Sequence, residues 1–288
     1  MRRALLLLTA IAFLITGCER PAPAPVVPVP AGKTLTVAFL DVWQGDAILV
    51  RGPSGMTMLI DGAREDDGPA VILSTLKAWG VQKLDLLVAT HPDADHVGGL
   101  AAVVAGIPVQ NAALTGQAHT TQAYERLLTE IRNRDVKAIR TRTGTALPFD
   151  PDVQLSVLGP GDAAVEGDDL NNASIVIKLV YGQVSFLFTG DAEMDEYRAI
   201  QAAGGDLRCT VLKIGHHGSY TSTDEALLRT MQPQIAVISV GAGNRYGHPH
   251  DSVLSALVRR QVRVYRTDQS GTVTITTDGT TPVVKTEK

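Results

Sequence analysis

From Lys33 onward the hydrophobic positions fall into short runs of two kinds. "TLTVAFLDV" (34–42), "DAILVRG" (46–52) and "TMLIDG" (57–62) are apolar and are separated by Gly45 and by the Pro53-Ser54-Gly55 turn, so they read as three strands. "PAVILSTLKAW" (69–79) has helical spacing instead, opens on proline and stops at Gly80. "LDLLVATH" (84–91) is then a mostly apolar run, the pattern of a strand covered on both faces.

The second half repeats this order. "ASIVIKLV" (173–180) and "VSFLFTGD" (184–191) read as a hairpin across Tyr181-Gly182-Gln183, followed by a helix at 193–203 and the strand "TVLKIGHH" (210–217). "TDEALLRTM" (223–231) reads as a helix capped by Thr223, with two acids in its first turn. "IAVISVG" (235–241), a helix near 252–260, "VRVYRT" (262–267) and "GTVTITT" (271–277) complete the chain. This alternation predicts an α/β fold with helices outside two sheets. No second linker interrupts residues 33–288, which are read as one domain.

Several of these strands end in residues able to bind a cation. Asp61, His91, Asp191 and His216 all sit at or just past a C-terminal strand end, so they are expected on one rim of the sandwich. The densest cluster is "ATHPDADHVGGL" (89–100), which places His91, Asp93, Asp95 and His96 within six residues. Irregular backbone after a strand lets His91 and Asp93 point at one ion and frees Asp95 and His96 for a second. Gly98 and Gly99 permit a close backbone approach.

The N-terminus stands apart. Met1-Arg2-Arg3 followed by the apolar stretch Ala4–Ile15 is too short to span a bilayer and fits the core of a signal peptide. It ends in Leu14-Ile15-Thr16-Gly17-Cys18, which resembles a bacterial lipobox. Residues 1–17 are therefore read as a lipoprotein leader and Cys18 as the lipidated first residue of the mature chain. Residues 18–32, with "ERPAPAPVVPVPAG" after the cysteine, form a semi-rigid Pro/Ala tether. Glu19 stands where an aspartate often retains lipoproteins at the inner membrane, which favours an outer-membrane, periplasm-facing address. Cys209, the other cysteine, is expected to be a buried structural thiol.

The cluster at 91–96 resembles the His-x-His-x-Asp-His signature of the metallo-β-lactamase fold, with Asp93 in place of the second histidine. "FLDVWQGDAILV", "LIDG", "NNASIVIKL", "FLFTGD", "LKIGHHGS" and "NRYGHPH" agree in order and spacing. Together they are similar to the metallo-β-lactamase-like domain of the ComEC competence family of DNA-uptake proteins, over about residues 34–278. The resemblance implies an αββα sandwich of two mixed sheets with helices outside. It also implies a two-ion site in which His91 and Asp93 hold one ion, Asp95 and His96 the other, and Asp191 bridges. His216 is carried as a further ligand, with His217 and His248 as alternatives for that place or as proton donors to the leaving group. Asn171-Asn172-Ala173-Ser174 falls where other members place a histidine ligand. Asn172 and Ser174 are carried as catalytic candidates there, Asn172 through a carbonyl oxygen or a bond to substrate.

Three carboxylates in the donor set make manganese, and also magnesium, competitive with zinc. The expected activity is that of a metal-dependent phosphodiesterase, a DNA nuclease, in which two ions activate a water. Charge argues the other way. Loss of Arg2 and Arg3 leaves 24 basic against 30 acidic side chains, a mature charge of −6, which does not suit a strong duplex binder. Arg126, Arg132, Arg134, Lys137, Arg140 and Arg142 crowd one segment, and Arg259, Arg260, Arg263 and Arg266 another. These are read as either solvated helix faces or a DNA track. Two other readings stand beside the nuclease: a two-metal hydrolase of a phosphorylcholine, phospholipid-type, lactam or lactone substrate, and a non-catalytic binding module.

Overall fold

Alternation along the strands divides their side chains between two faces. In β1 (Leu35–Phe39), Leu35, Val37 and Phe39 enter one buried cluster while Ala38 enters another. The computed structural model describes residues 32–288, so the leader, Cys18 and nearly all of the tether lie outside the described residues. β2 (Ile48–Arg51), β3 (Thr57–Ile60), β4 (Leu86–Ala89), β5 (Asn111–Leu114) and β6 (Lys137–Arg140) continue one sheet. A second is built from β7 (Gln154–Gly159), β8 (Val176–Tyr181), β9 (Val184–Phe188), β10 (Val211–Lys213), β11 (Ile235–Ile238) and β12 (Arg263–Arg266). β13 (Val273–Thr277) and β14 (Pro282–Thr286) return to the first.

The strand orders are β14-β13-β1-β2-β3-β4-β5-β6 and β12-β11-β10-β9-β8-β7. Both sheets are mixed. β3 to β6 run parallel and β9 to β12 run parallel, with antiparallel strands flanking them. One core cluster lies between the sheets and joins Phe39, Ile60, Val88, Ile177, Phe186 and Phe188. The other two lie beneath helices on the outer faces. The αββα layering expected from the sequence is the observed one.

β4 is buried on both faces, as its apolar run required: Leu86 and Val88 face the inter-sheet core, Leu87 and Ala89 the helices. The outer helix at Asp251–Arg259 also falls near its expected place. No helix among the described residues is long and apolar enough to cross a membrane.

Two expectations about local structure are corrected. The strand expected at 210–217 ends at Lys213, and Gly215–Gly218 form one 3₁₀ turn. His216 and His217 lie in the left-handed region, at φ 46° and 52°, so neither continues β10. The cap of the helix Glu225–Met231 is Asp224, whose carboxylate accepts from Leu227 N at 2.7 Å, rather than Thr223. Residues 92–172, left without regular elements by the sequence pattern, contain β5, β6, β7 and the helices Leu100–Gly106 and Gln122–Asn133.

Candidate metal centre

The C-terminal ends of β3, β4, β9 and β10 open on one rim, and the chain leaving each end carries a polar side chain inward. His91 follows β4. Asp93 is extended and begins the single turn Ala94–Val97, which folds His96 back so that its ring lies 4.1 Å from that of His91. Two glycines are required by this packing. A Cβ on Gly45, at φ 121°, would sit 2.2 Å from the Asp95 carbonyl oxygen, and one on Gly99 would sit 2.3 Å from that of Gly62.

Hydrogen bonds from below fix each imidazole. Asp61 takes Thr90 N at 2.8 Å and Thr90 Oγ1 at 2.7 Å, and its Oδ2 lies 2.8 Å from His96 Nδ1. With Nδ1–H donated to Asp61, His96 Nε2 faces Asp191 Oδ1 at 3.2 Å. His217 Nδ1 donates to the Ser239 carbonyl at 2.9 Å, and its Nε2 stands 3.4 Å from both Asp95 Oδ2 and Asp191 Oδ2. His91 Nδ1 lies 3.1 Å from Thr90 Oγ1, and Nε2 is 3.6 Å from Asp93 Oδ2.

Four buried atoms that meet here have no hydrogen-bond partner: His91 Nε2, His96 Nε2, His217 Nε2 and Asp191 Oδ1. Each orphaned buried polar atom costs on the order of 1–3 kcal/mol. Four that converge make this a candidate cation site. Ligand atoms of His91, His96 and Asp191 lie within 4.8 Å of one another, as do those of Asp95, His96 and His217. Imidazole and carboxylate donors at these separations fit divalent ions, so the residues present suit the group the fold suggests.

The electrostatics agree. Burial favours a neutral Asp191, but His217, His96 and Lys213 outweigh it and hold the carboxyl well below the usual range. Burial likewise opposes charge on His96, yet Asp191 and Asp61 raise it well above the ordinary histidine value. His217 is raised against burial by Asp191, Asp95 and Asp46. Protons on these rings occupy the place of positive charge that ions would fill, and ion binding would release them.

The rest of the expected set is placed as follows. Asp93, Asp95, Asn171, Asp191, His216, His217 and His248 line one cleft of about 160 Å³, together with Gln44 and Tyr246. His216 Nδ1 is bonded to Glu193 Oε1 at 2.8 Å, and its Nε2 is 3.9 Å from Asp191. It is His217, carried as an alternative ligand or a proton donor, whose buried Nε2 points at the carboxylates. His248 is pushed down to about 4 by burial and by His216, His217 and His250. Asn172 does not line the cleft: its Oδ1 accepts from Glu193 N and Glu196 N and so caps the helix Met194–Ala202. Asn171 lines the cleft instead. Ser174 is buried, accepts from Asp191 N at 3.1 Å and lies 3.4 Å from His91 Nδ1, so it braces two ligand candidates from behind.

Sequence reasoning missed Asp46, Glu193 and Lys213. Lys213 is fully buried, ion-paired with Asp46, bonded to Gly190 O at 2.9 Å and 3.7 Å from Asp191 Oδ1. Burial opposes its charge, but Asp46 and Asp191 keep it protonated. The signal was present: a lysine inside an apolar strand needs a buried anion. Of the two basic segments, Arg126, Arg134, Arg142, Arg259 and Arg266 are each tied to a neighbouring carboxylate.

A mixed-sheet αββα sandwich with an imidazole and carboxylate centre on the strand-end rim defines a class, and comparison with known proteins agrees with it. The family model described as the metallo-beta-lactamase superfamily matches residues 40–242, and the chain belongs to that superfamily, whose members are generally metal-dependent hydrolases. It is 33% identical over 253 residues to ComE operon protein 3 of Bacillus subtilis (strain 168), covering 82% of this chain and 32% of that protein. It is 32% identical over 236 residues to competence protein ComA of Neisseria gonorrhoeae, covering 82% and 31%. These are ComEC-type competence proteins, and the chain spans about a third of their length. Among solved structures, the metallo-beta-lactamase fold protein YhfI from Bacillus subtilis superposes with a TM-score of 0.51 at 11% identity, over 81% of this chain and 96% of that one. CmlA, a diiron beta-hydroxylase from Streptomyces venezuelae, gives 0.51 at 12% identity, over 82% and 53%. At such identities these two show the fold alone.

Proposed function

We propose that the protein is an envelope-tethered, metal-dependent phosphodiesterase acting on DNA. The observation that carries this reading is the convergence of three unpartnered buried imidazole nitrogens, on His91, His96 and His217, with the carboxylates Asp93, Asp95 and Asp191 beside one cleft. His91, Asp93 and Asp191 would hold one divalent ion, and Asp95, His96, His217 and Asp191 the other. Bound there, the pair would supply Lewis-acid activation of a water and neutralise the scissile phosphate. Oxygen-rich donors suit manganese or magnesium as well as zinc.

The chain's own residues divide the remaining work. Asp61 and the Ser239 carbonyl orient His96 and His217. Glu193 accepts from His216 Nδ1–H and so turns Nε2 toward the cleft, where the ring would take a proton as base or, in its imidazolium form, give one to the leaving oxygen. The geometry thus supports an exchange of the parts first given to the neighbouring histidines. DNA as substrate is supported by the competence relatives' names, and envelope tethering by the lipobox-like Cys18 alone.

The test is cleavage with Mn²⁺, Mg²⁺ or Zn²⁺ of single-stranded DNA, duplex DNA, a generic phosphodiester and a chromogenic lactam. Manganese-dependent DNA cleavage by the parent and its loss in Asp191→Ala are expected. An Asp191→Ala protein that cuts DNA as fast as the parent overturns the reading, and turnover of the lactam alone replaces it.

A further inference from the structure

Among the described residues, the large hydrophobic side chains left exposed are Trp43, Tyr220, Tyr246, Val258 and Val283. All three aromatic ones belong to loops that border the cleft. Scattered exposed apolar residues need no explanation, but aromatics confined to one rim do.

Trp43 is 54% exposed and sits at φ 63°. That backbone conformation is a genuine outlier for a bulky residue, and such strain persists only where the surroundings impose it. Here the imposition is visible. Gln44, the next residue, is buried and accepts from Gly241 N at 3.1 Å, and a Cβ on Gly241 would lie 3.1 Å from Trp43 Cδ1. The strained turn therefore seats Trp43 against the loop that carries Tyr246. Tyr246 is 46% exposed and lies near parallel to His248, with centroids 5.7 Å apart. The Arg245 guanidinium stands 5.0 Å from the Tyr246 ring centroid and donates to its hydroxyl at 2.9 Å. Gln44 Nε2, buried and without a partner, lines the same cleft.

We infer that Trp43 and Tyr246 form a base-stacking subsite that presents single-stranded nucleic acid to the cleft, with Gln44 Nε2 as a donor to the nucleotide held there. This rests on the phosphodiesterase reading and names its substrate form. Flat aromatic faces take unpaired bases of any sequence, whereas duplex binding needs a free basic track. Half of the ten crowded basic residues are already spent on neighbouring carboxylates.

The experiment compares a fluorescent oligo-dT with an oligonucleotide of the same length made of abasic units, which keeps the phosphates and removes the bases. Affinity is measured by anisotropy in EDTA on the mature chain, so the result does not depend on cleavage. The parent is expected to prefer oligo-dT by on the order of ten-fold, the range of one base–aromatic stack. In Trp43→Ala/Tyr246→Ala that ratio should fall toward one, and Trp43→Phe should restore most of it. A parent that binds both oligonucleotides equally, binds neither, or keeps its preference in the double variant overturns the inference. A preserved preference for bases with no cleavage under any metal would instead overturn the phosphodiesterase reading.

Discussion

Asp61 Oδ2 lies 2.8 Å from His96 Nδ1, and this contact decides which nitrogen of His96 faces the centre. Asp61 is fully buried and held in turn by Thr90 through two hydrogen bonds. Partners of this kind set the tautomer and raise the basicity of the ligand. Asp61→Asn can swing either amide atom toward His96 and lose that control. Manganese affinity, followed by isothermal titration calorimetry, is expected to weaken roughly 10- to 100-fold. Unchanged affinity in a folded variant would remove Asp61 from this role.

His216 and His217 are neighbours with different surroundings, and the difference is testable. His217 is buried with Nε2 between Asp95 and Asp191, while His216 is partly exposed and held by Glu193. His217→Ala should lose metal, read by mass spectrometry against about two ions per chain in the parent. His216→Ala should keep its metal and lose turnover, on the order of 10²-fold or more if it moves a proton. Glu193→Gln should share the kinetic loss. The reverse pattern, with metal lost in His216→Ala, would return the ligand role to His216.

The sequence made the sandwich and the ligand cluster readable for a physical reason. β4 and β9 are short apolar runs that end abruptly at His91 and near Asp191, so burial and chemistry are written side by side. What escaped lies where that contrast fails. β5 is "NAAL", small and almost featureless, and β6 is a largely exposed edge strand, "KAIR". The helix Gln122–Asn133 buries Ala123, Tyr124, Leu127 and Ile131, a helical stripe that was legible but was eclipsed by its arginines. Asn172 and the choice between His216 and His217 escaped for another reason. Their roles depend on a capping turn and on left-handed backbone at 216–217, which neighbouring side chains impose and local pattern does not announce.

Cys209 offers a test of packing independent of the metal centre. It is the free thiol of the described residues, buried against the outer helices, and burial pushes it up to about 12. At pH 8 the native thiol is therefore protonated as well as inaccessible. Alkylation by iodoacetamide should be slow in the folded protein and rise steeply in denaturant. Rapid labelling of the native protein at this position would show that the helix layer opens locally.

Glu196 predicts how stability depends on pH. Its side chain is buried beside Gly159, Oε1 has no partner, and desolvation raises its carboxyl from 4.5 to about 7. A folded value above the unfolded one means the native state binds the proton more tightly. Stability from this group is fully present below about pH 4.5 and is lost as pH rises through 7. Glu196→Gln keeps the shape and removes the titration. The two proteins should therefore melt alike near pH 4.5, and the variant should be the more stable at pH 8, by up to about 3 kcal/mol at 1.36 kcal/mol per unit. Thermal melts from pH 4.5 to 8 measure this directly. Parallel curves for parent and variant would mean that Glu196 ionises as freely in the folded protein as in the unfolded chain.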